Sequence, residues 1–134
     1  MTRLSAPFAA TFAAALLILS GNASAAGDKI VSIKKNRHLY AGNTAVGVSP
    51  SGRRFRVYFG KDGKDGKVVY NDSKGLSQTG TWVITDDGMM CYDWQKWRDR
   101  CYSHKESAGT YQSFRDGKVK GSRFVLQKGN VGLN

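Results

Sequence analysis

Arg54-Phe55-Arg56-Val57-Tyr58-Phe59, then Gly60-Lys61-Asp62-Gly63-Lys64-Asp65-Gly66, then Lys67-Val68-Val69-Tyr70 is the stretch that decides the fold. Over 54–59 the side chains alternate, with Phe55, Val57 and Phe59 on one face and Arg54, Arg56 and Tyr58 on the other. A strand has a period of two, so this pattern sets one face against a core and the other against water. The two Asp-Gly pairs that follow suit the positive φ angles of tight hairpin turns. The run from Lys67 to Tyr70 then brings the chain back as a second strand.

Outward from this hairpin the same rhythm repeats. Asp87-Gly88 and Asp116-Gly117 are further turn pairs. Between the turns lie Ala45 to Ser49, Thr81 to Thr85 with Trp82 and Ile84 on one face, Met89 to Trp94, Arg100 to His104, Thr110 to Phe114 and Arg123 to Gln127. Short strands at close spacing, joined by hairpin turns, predict an all-β antiparallel meander or barrel of seven to eight strands. Only Asp28 to Tyr40 reads as helical, with Asp28 as cap and Ile30, Ile33, Arg37 and Tyr40 at spacings of three and four.

The first 25 residues carry a single charge, Arg3, and an apolar run from Phe8 to Leu19 that breaks at Ser20-Gly21. Ala23-Ser24-Ala25 supplies the small residues of a signal-peptidase site. A run of about a dozen apolar residues is short of the roughly 20 that span a bilayer. The expectation is a signal peptide over 1–25, a single basic domain over 26–134 with no transmembrane segment, and a periplasmic or secreted destination.

Over 26–134 the chain keeps 20 of its 21 Lys and Arg residues and all ten acids, a net charge of +10. That balance favours an anionic polymer or lipid surface as partner, and it also serves solubility. Cys91 and Cys101 form an even pair in an exported domain, which predicts one disulfide. If they face each other, Tyr92 opposes Arg100, Asp93 opposes Asp99 and Trp94 opposes Arg98, with 95–97 as the turn. Trp94 and Trp97 then offer flat apolar faces, while Lys96, Arg98 and Arg100 offer charge for carboxylate or phosphate. These five are the candidate ligand contacts, with Arg54 and Arg56 as a supporting pair. The Asp93–Asp99 opposition is neutralised by its flanking arginines, and 61–67 lacks the register of a calcium loop, so no metal is expected.

For catalysis the residues are few. His104 and Glu106 share one side of a strand and could act as acid and base in a small hydrolase of RNA or another polyanion. No nucleophile elbow, zinc-protease helix, phosphate-binding loop or dinucleotide fingerprint is present, and the reading leans to a non-enzyme without a cofactor. A monomeric binding protein for an anionic envelope or host component (glycan, lipid headgroup or nucleic acid) is the expectation. A structural or stress-related envelope protein without a ligand is the other alternative.

Gly42-Asn43-Thr44, Tyr58-Phe59-Gly60-Lys61-Asp62-Gly63, Gly80-Thr81-Trp82, Met90-Cys91-Tyr92-Asp93-Trp94, Arg100-Cys101-Tyr102 and Gly109-Thr110-Tyr111 occur in that order. The order resembles small exported proteins of alphaproteobacteria classed as a domain of unknown function, over about Leu39 to Lys118. The resemblance implies a periplasmic or secreted two-cysteine β domain and carries over no catalytic residue. Gly80-Thr81-Trp82 is also similar to the G-x-W of lipocalin-type barrels. There the motif opens the first strand and here it lies mid-chain, which argues against a lipocalin ligand cavity while leaving a barrel in place. Periplasmic lysozyme inhibitors are a third small disulfide-bearing β family, but a cationic lysozyme would be repelled by this charge.

Overall fold

The structure, a computed structural model, describes residues 29–61 and 65–132. The proposed signal peptide and Asp28 lie outside them. Among the described residues there are nine strands: β1 (Lys29–Val31), β2 (Asn43–Val48), β3 (Arg54–Phe59), β4 (Asp65–Asp72), β5 (Ser77–Ile84), β6 (Met90–Trp94), β7 (Arg100–Ser107), β8 (Thr110–Arg115) and β9 (Lys118–Lys128). One helical turn, α1 (Arg37–Tyr40), joins β1 to β2. Neighbours run in the order β7-β6-β5-β4-β3-β2-β9-β8, and β8 pairs back onto β7. Eight antiparallel strands therefore close into a barrel. A barrel of this number is just wide enough to be filled by side chains or to hold one small ligand.

The alternation at 54–59 survives intact: Phe55, Val57 and Phe59 are buried and point inward. The inward set continues through Val68, Trp82, Ile84, Met90 and Phe124. The β8–β9 hairpin has the expected Asp-Gly turn, with φ of 53° at Asp116 and 70° at Gly117 between paired Arg115 and Lys118. Asp65-Gly66 does not turn; both residues open β4, paired with Val83 and Trp82. Residues 62–64 of that connection lie outside the described residues.

Gly80 explains why a glycine precedes Trp82. A Cβ there would sit 2.2 Å from the carbonyl oxygen of Asp93, so β5 and β6 approach more closely than any side chain allows. That approach holds the wall at Trp94, the partner of Gly80.

The helix expected over 28–40 shrinks to one turn. Residues 29–31 instead pair with His104, Lys105 and Glu106 of β7, on the edge that β6 leaves free beyond its pairing with Arg100, Cys101 and Tyr102. Unpaired strand edges are costly to leave bare, and that demand overrides the local helical pattern. Ile33 and Tyr40 are still fully buried, because the segment between β1 and β2 plugs one end of the barrel. Arg37 places its guanidinium 4.6 Å over the Trp82 ring, and Tyr40 meets Phe59 edge-on at 5.6 Å.

Cys91 and Cys101 are direct cross-strand partners and form the disulfide. Closing a loop with a sequence separation of 10 stabilises by about 2–3 kcal/mol, mainly through the unfolded chain. Reduction is expected to lower the free energy of unfolding by that amount, read from urea midpoints with and without reductant. An unchanged midpoint would mean that the loop is already ordered in the unfolded chain. No helix among the described residues is long and apolar enough to cross a membrane.

Candidate functional site

The plugged end and the open end differ in what fills them. Below, Trp82, Phe59, Met90, Val68, Tyr40 and His104 are almost fully buried and interlock. Above, the inward positions split by size. Phe55, Tyr70, Tyr92, Trp94 and Trp97 form one wall, while Ala45, Ser113, Gly121 and Ser122 form the facing one. Large rings on one side and small residues on the other leave a cavity of about 370 Å³, within the usual range of ligand pockets. This corrects the argument against a ligand cavity drawn from the mid-chain Gly80-Thr81-Trp82. Position in the chain does not matter to a closed barrel; inward side-chain volume does.

The aromatic wall is continuous. Phe55 stacks on Tyr70 at 5.9 Å, Tyr70 meets Trp97 at 4.7 Å, Trp97 meets Trp94 at 5.4 Å, and Trp94 stacks on Tyr92 at 5.3 Å. Burial pushes the Tyr92 hydroxyl well above the ordinary phenol range, and that hydroxyl donates to the Met90 sulfur at 3.1 Å. Arg98 and Arg100, both exposed, line the cavity at its mouth. The disulfide sits one residue from Arg100 and fixes the root of this loop.

The mouth is braced on the Tyr70 side by Asp72. Its carboxylate accepts from Arg53 at 2.9 Å, from Tyr70, and from the backbone N–H groups of Lys74 and Leu76. Burial alone would raise this carboxyl, but the Arg53 and backbone hydrogen bonds hold it below the ordinary range. The β4–β5 loop is thereby fixed beside Tyr70 and Trp97.

Four of the five predicted contacts thus meet at one mouth: Trp94, Trp97, Arg98 and Arg100. Lys96 is exposed in the same loop but does not line the cavity. Arg54 and Arg56 lie on the outer face of β3. Arg56 donates to the Asn130 side chain at 2.9 Å and to the Val131 carbonyl at 3.0 Å, so it straps down the segment after β9. The proposed Asp93–Asp99 opposition does not form. The β6–β7 ladder ends at Tyr92 and Arg100, Asp93 pairs with Thr81 of β5, and 95–99 becomes a wider loop.

His104 is 1% exposed. Its Nδ1 pairs with the Tyr40 hydroxyl at 2.8 Å, and burial lowers its pKa to about 4. Glu106 accepts from the Gly109 backbone N–H at 2.7 Å and caps the β7–β8 turn. The ring is buried against the plug, and the carboxylate is engaged with the turn. Sequence reading missed Tyr70, Tyr92, Tyr102, Ser113 and Ser122 as lining residues. Inward alternation could have placed the tyrosines, but only closure reveals that small residues face them. Among known proteins, no family model and no curated relative matches the chain, and its site is read from its own geometry.

Proposed function

We propose that this chain is an exported, non-enzymatic binding protein for an anionic envelope or host component, and that the cavity takes a small anionic amphiphile. The ligand's apolar or flat body lies against Trp94, Trp97, Tyr70 and Tyr92, and its carboxylate or phosphate meets Arg98 and Arg100. The observation that carries this reading is the pairing of an aromatic-walled cavity with two arginines at its only charged margin among the lining residues. Aromatic faces exclude water from the ligand body, and guanidinium groups give forked hydrogen bonds to planar anions. A glycan or polynucleotide would have to enter end-on, because the cavity is a well and not a groove. The disulfide fits an oxidising compartment, and with it a periplasmic or secreted location.

The test is calorimetric titration of the oxidised protein with laurate, dodecanol and dodecyltrimethylammonium, which share a tail and differ in head charge. Saturable binding of laurate, weaker binding of the alcohol and none of the cation is the expected order. Arg98→Ala and Arg100→Ala are each expected to weaken laurate about tenfold, the scale of one charge-assisted hydrogen bond, with the melting temperature unchanged. Trp97→Ala should weaken all tailed ligands alike. Equal affinity for all three heads, or no saturable binding, would reject the reading.

A further inference from the structure

The open end of the barrel carries more than a cavity mouth. Strand alternation of direction brings four loops to this end: 49–53, 73–76, 95–99 and 116–117. Three of the five large apolar side chains that stand exposed among the described residues are on this rim. They are Val48 at 47%, Leu76 at 37% and Val119 at 61%. The fourth loop presents Trp97, which is half-buried. Each apolar residue has cations near it: Arg54 and Arg123 as cross-strand partners of Val48, Lys74 two residues from Leu76, Lys96 and Arg98 around Trp97, and Lys118 and Lys120 on either side of Val119.

The β8–β9 hairpin also runs past the end of β2. The β2–β9 ladder stops at Val48 and Arg123, leaving five residues of β9, from Lys118 to Ser122, beyond the end of β2. Lys118, Val119 and Lys120 are all exposed at this tip. An exposed cation–valine–cation segment, with further cation-flanked apolar residues around the same ring, matches a surface that is apolar just beneath an anionic layer. Polynucleotide would meet the cations but gives the valines and leucine nothing to enter.

We propose that the rim is a docking surface for an anionic lipid bilayer, seating the barrel mouth-down so that the cavity opens onto the headgroups. This rests on the reading of the cavity as a seat for an anionic amphiphile, and it adds the source: the ligand is taken from, or given to, a membrane leaflet. Lys118 and Lys120 hold headgroup phosphates, Val119, Leu76 and Val48 enter the acyl boundary, and Arg98 and Arg100 stand over the exchanging headgroup.

The experiment is co-sedimentation of the oxidised chain, in the form the cell produces, with vesicles of phosphatidylcholine alone and of phosphatidylcholine with phosphatidylglycerol. Binding confined to the anionic vesicles is expected. Lys118→Glu combined with Lys120→Glu should weaken it by at least about tenfold, since each cation near such a surface contributes a several-fold factor. Leu76→Ser combined with Val119→Ser should weaken it several-fold and make the remainder far more sensitive to salt. Lys34→Glu combined with Lys35→Glu, an identical charge change at the plugged end, should leave it unaltered. Equal loss from both charge pairs would overturn the orientation, as would indifference to the Leu76 and Val119 changes. RNA binding with the same Lys118 and Lys120 dependence, and no vesicle binding, would replace the bilayer with nucleic acid. Laurate affinity in the rim variants separates the two ideas: retained affinity with lost vesicle binding leaves the cavity reading standing and tests docking alone.

Discussion

Trp82→Ala is expected to remove about 3–5 kcal/mol of stability, the range seen when a large ring is deleted from a packed core. A domain of this size holds roughly 5–15 kcal/mol in total, so the loss is a large share of it and should shift the unfolding midpoint strongly. The size of the effect follows from what the ring joins. Trp82 is fully buried, meets Phe59 edge-on at 5.4 Å, and has the Arg37 guanidinium of the plug 4.6 Å over its ring. Deleting it opens the barrel wall and releases the plug together. The indole N–H has no hydrogen-bond partner among the described residues, so Trp82→Phe loses area but no hydrogen bond, and should cost far less. Urea unfolding followed by circular dichroism reads both variants. A loss below about 1 kcal/mol in Trp82→Ala would show that the lower barrel can collapse around the gap.

Acid should unfold the protein through His104. The ring is neutral in the fold, with its pKa lowered from 6.5 to about 4 by burial. Its neighbours supply no counter-charge: Tyr40 is on the plug, Phe124 is at 5.1 Å, and Ser113 and Val31 are its partners on β8 and β1. The unfolded chain therefore binds a proton that the folded chain refuses. Stability is fully present above pH 6.5 and is lost as pH falls to about 4, by about 3 kcal/mol at 1.4 kcal/mol per tenfold in proton affinity. Asp72 acts in a lower window, because its carboxyl is held down and its contribution goes only as pH falls through that depressed value. In His104→Gln the fall between pH 6.5 and 4 should vanish whatever the variant's stability at neutral pH. A fall of the same size in the variant would assign the acid sensitivity to other groups. If protonation does expel the ring, the first element to loosen is the plug held by Tyr40, beneath the cavity floor.

Much of the architecture was legible because the chain states it twice, once in alternation and once in turn chemistry. Arg54 to Phe59 and Asp116-Gly117 each specify a local geometry that the barrel uses unchanged. The disulfide followed from an even pair of cysteines, and the pairing of Tyr92 with Arg100 followed from setting those cysteines face to face. What misled were segments whose fate depends on distant partners. Residues 29–31 have a helical spacing, but the bare edge of β7 claims them. Asp65-Gly66 has a turn signature, but Val83 and Trp82 hold it in a ladder. The binding loop was half legible for the same reason. Trp94, Trp97, Arg98 and Arg100 lie within seven residues of one another, whereas Tyr70 and Ser122 reach the mouth from strands far along the chain. The strapping role of Arg56 was not legible because its acceptors, Asn130 and Val131, lie more than seventy residues away.

The position of β9 sets a schedule. This last strand among the described residues is inserted between β2 and β8, and Thr44 reaches 85 residues along the chain to donate to the Gly129 carbonyl. No subset of earlier strands can close the ring, so hairpins that form early remain open sheets with bare edges until residues 118–128 arrive. Topologies dominated by such distant pairings fold slowly. A nascent copy therefore stays threadable, and vulnerable to proteases and to its own siblings, until residues 118–128 have been made. It becomes a barrel only in one late step.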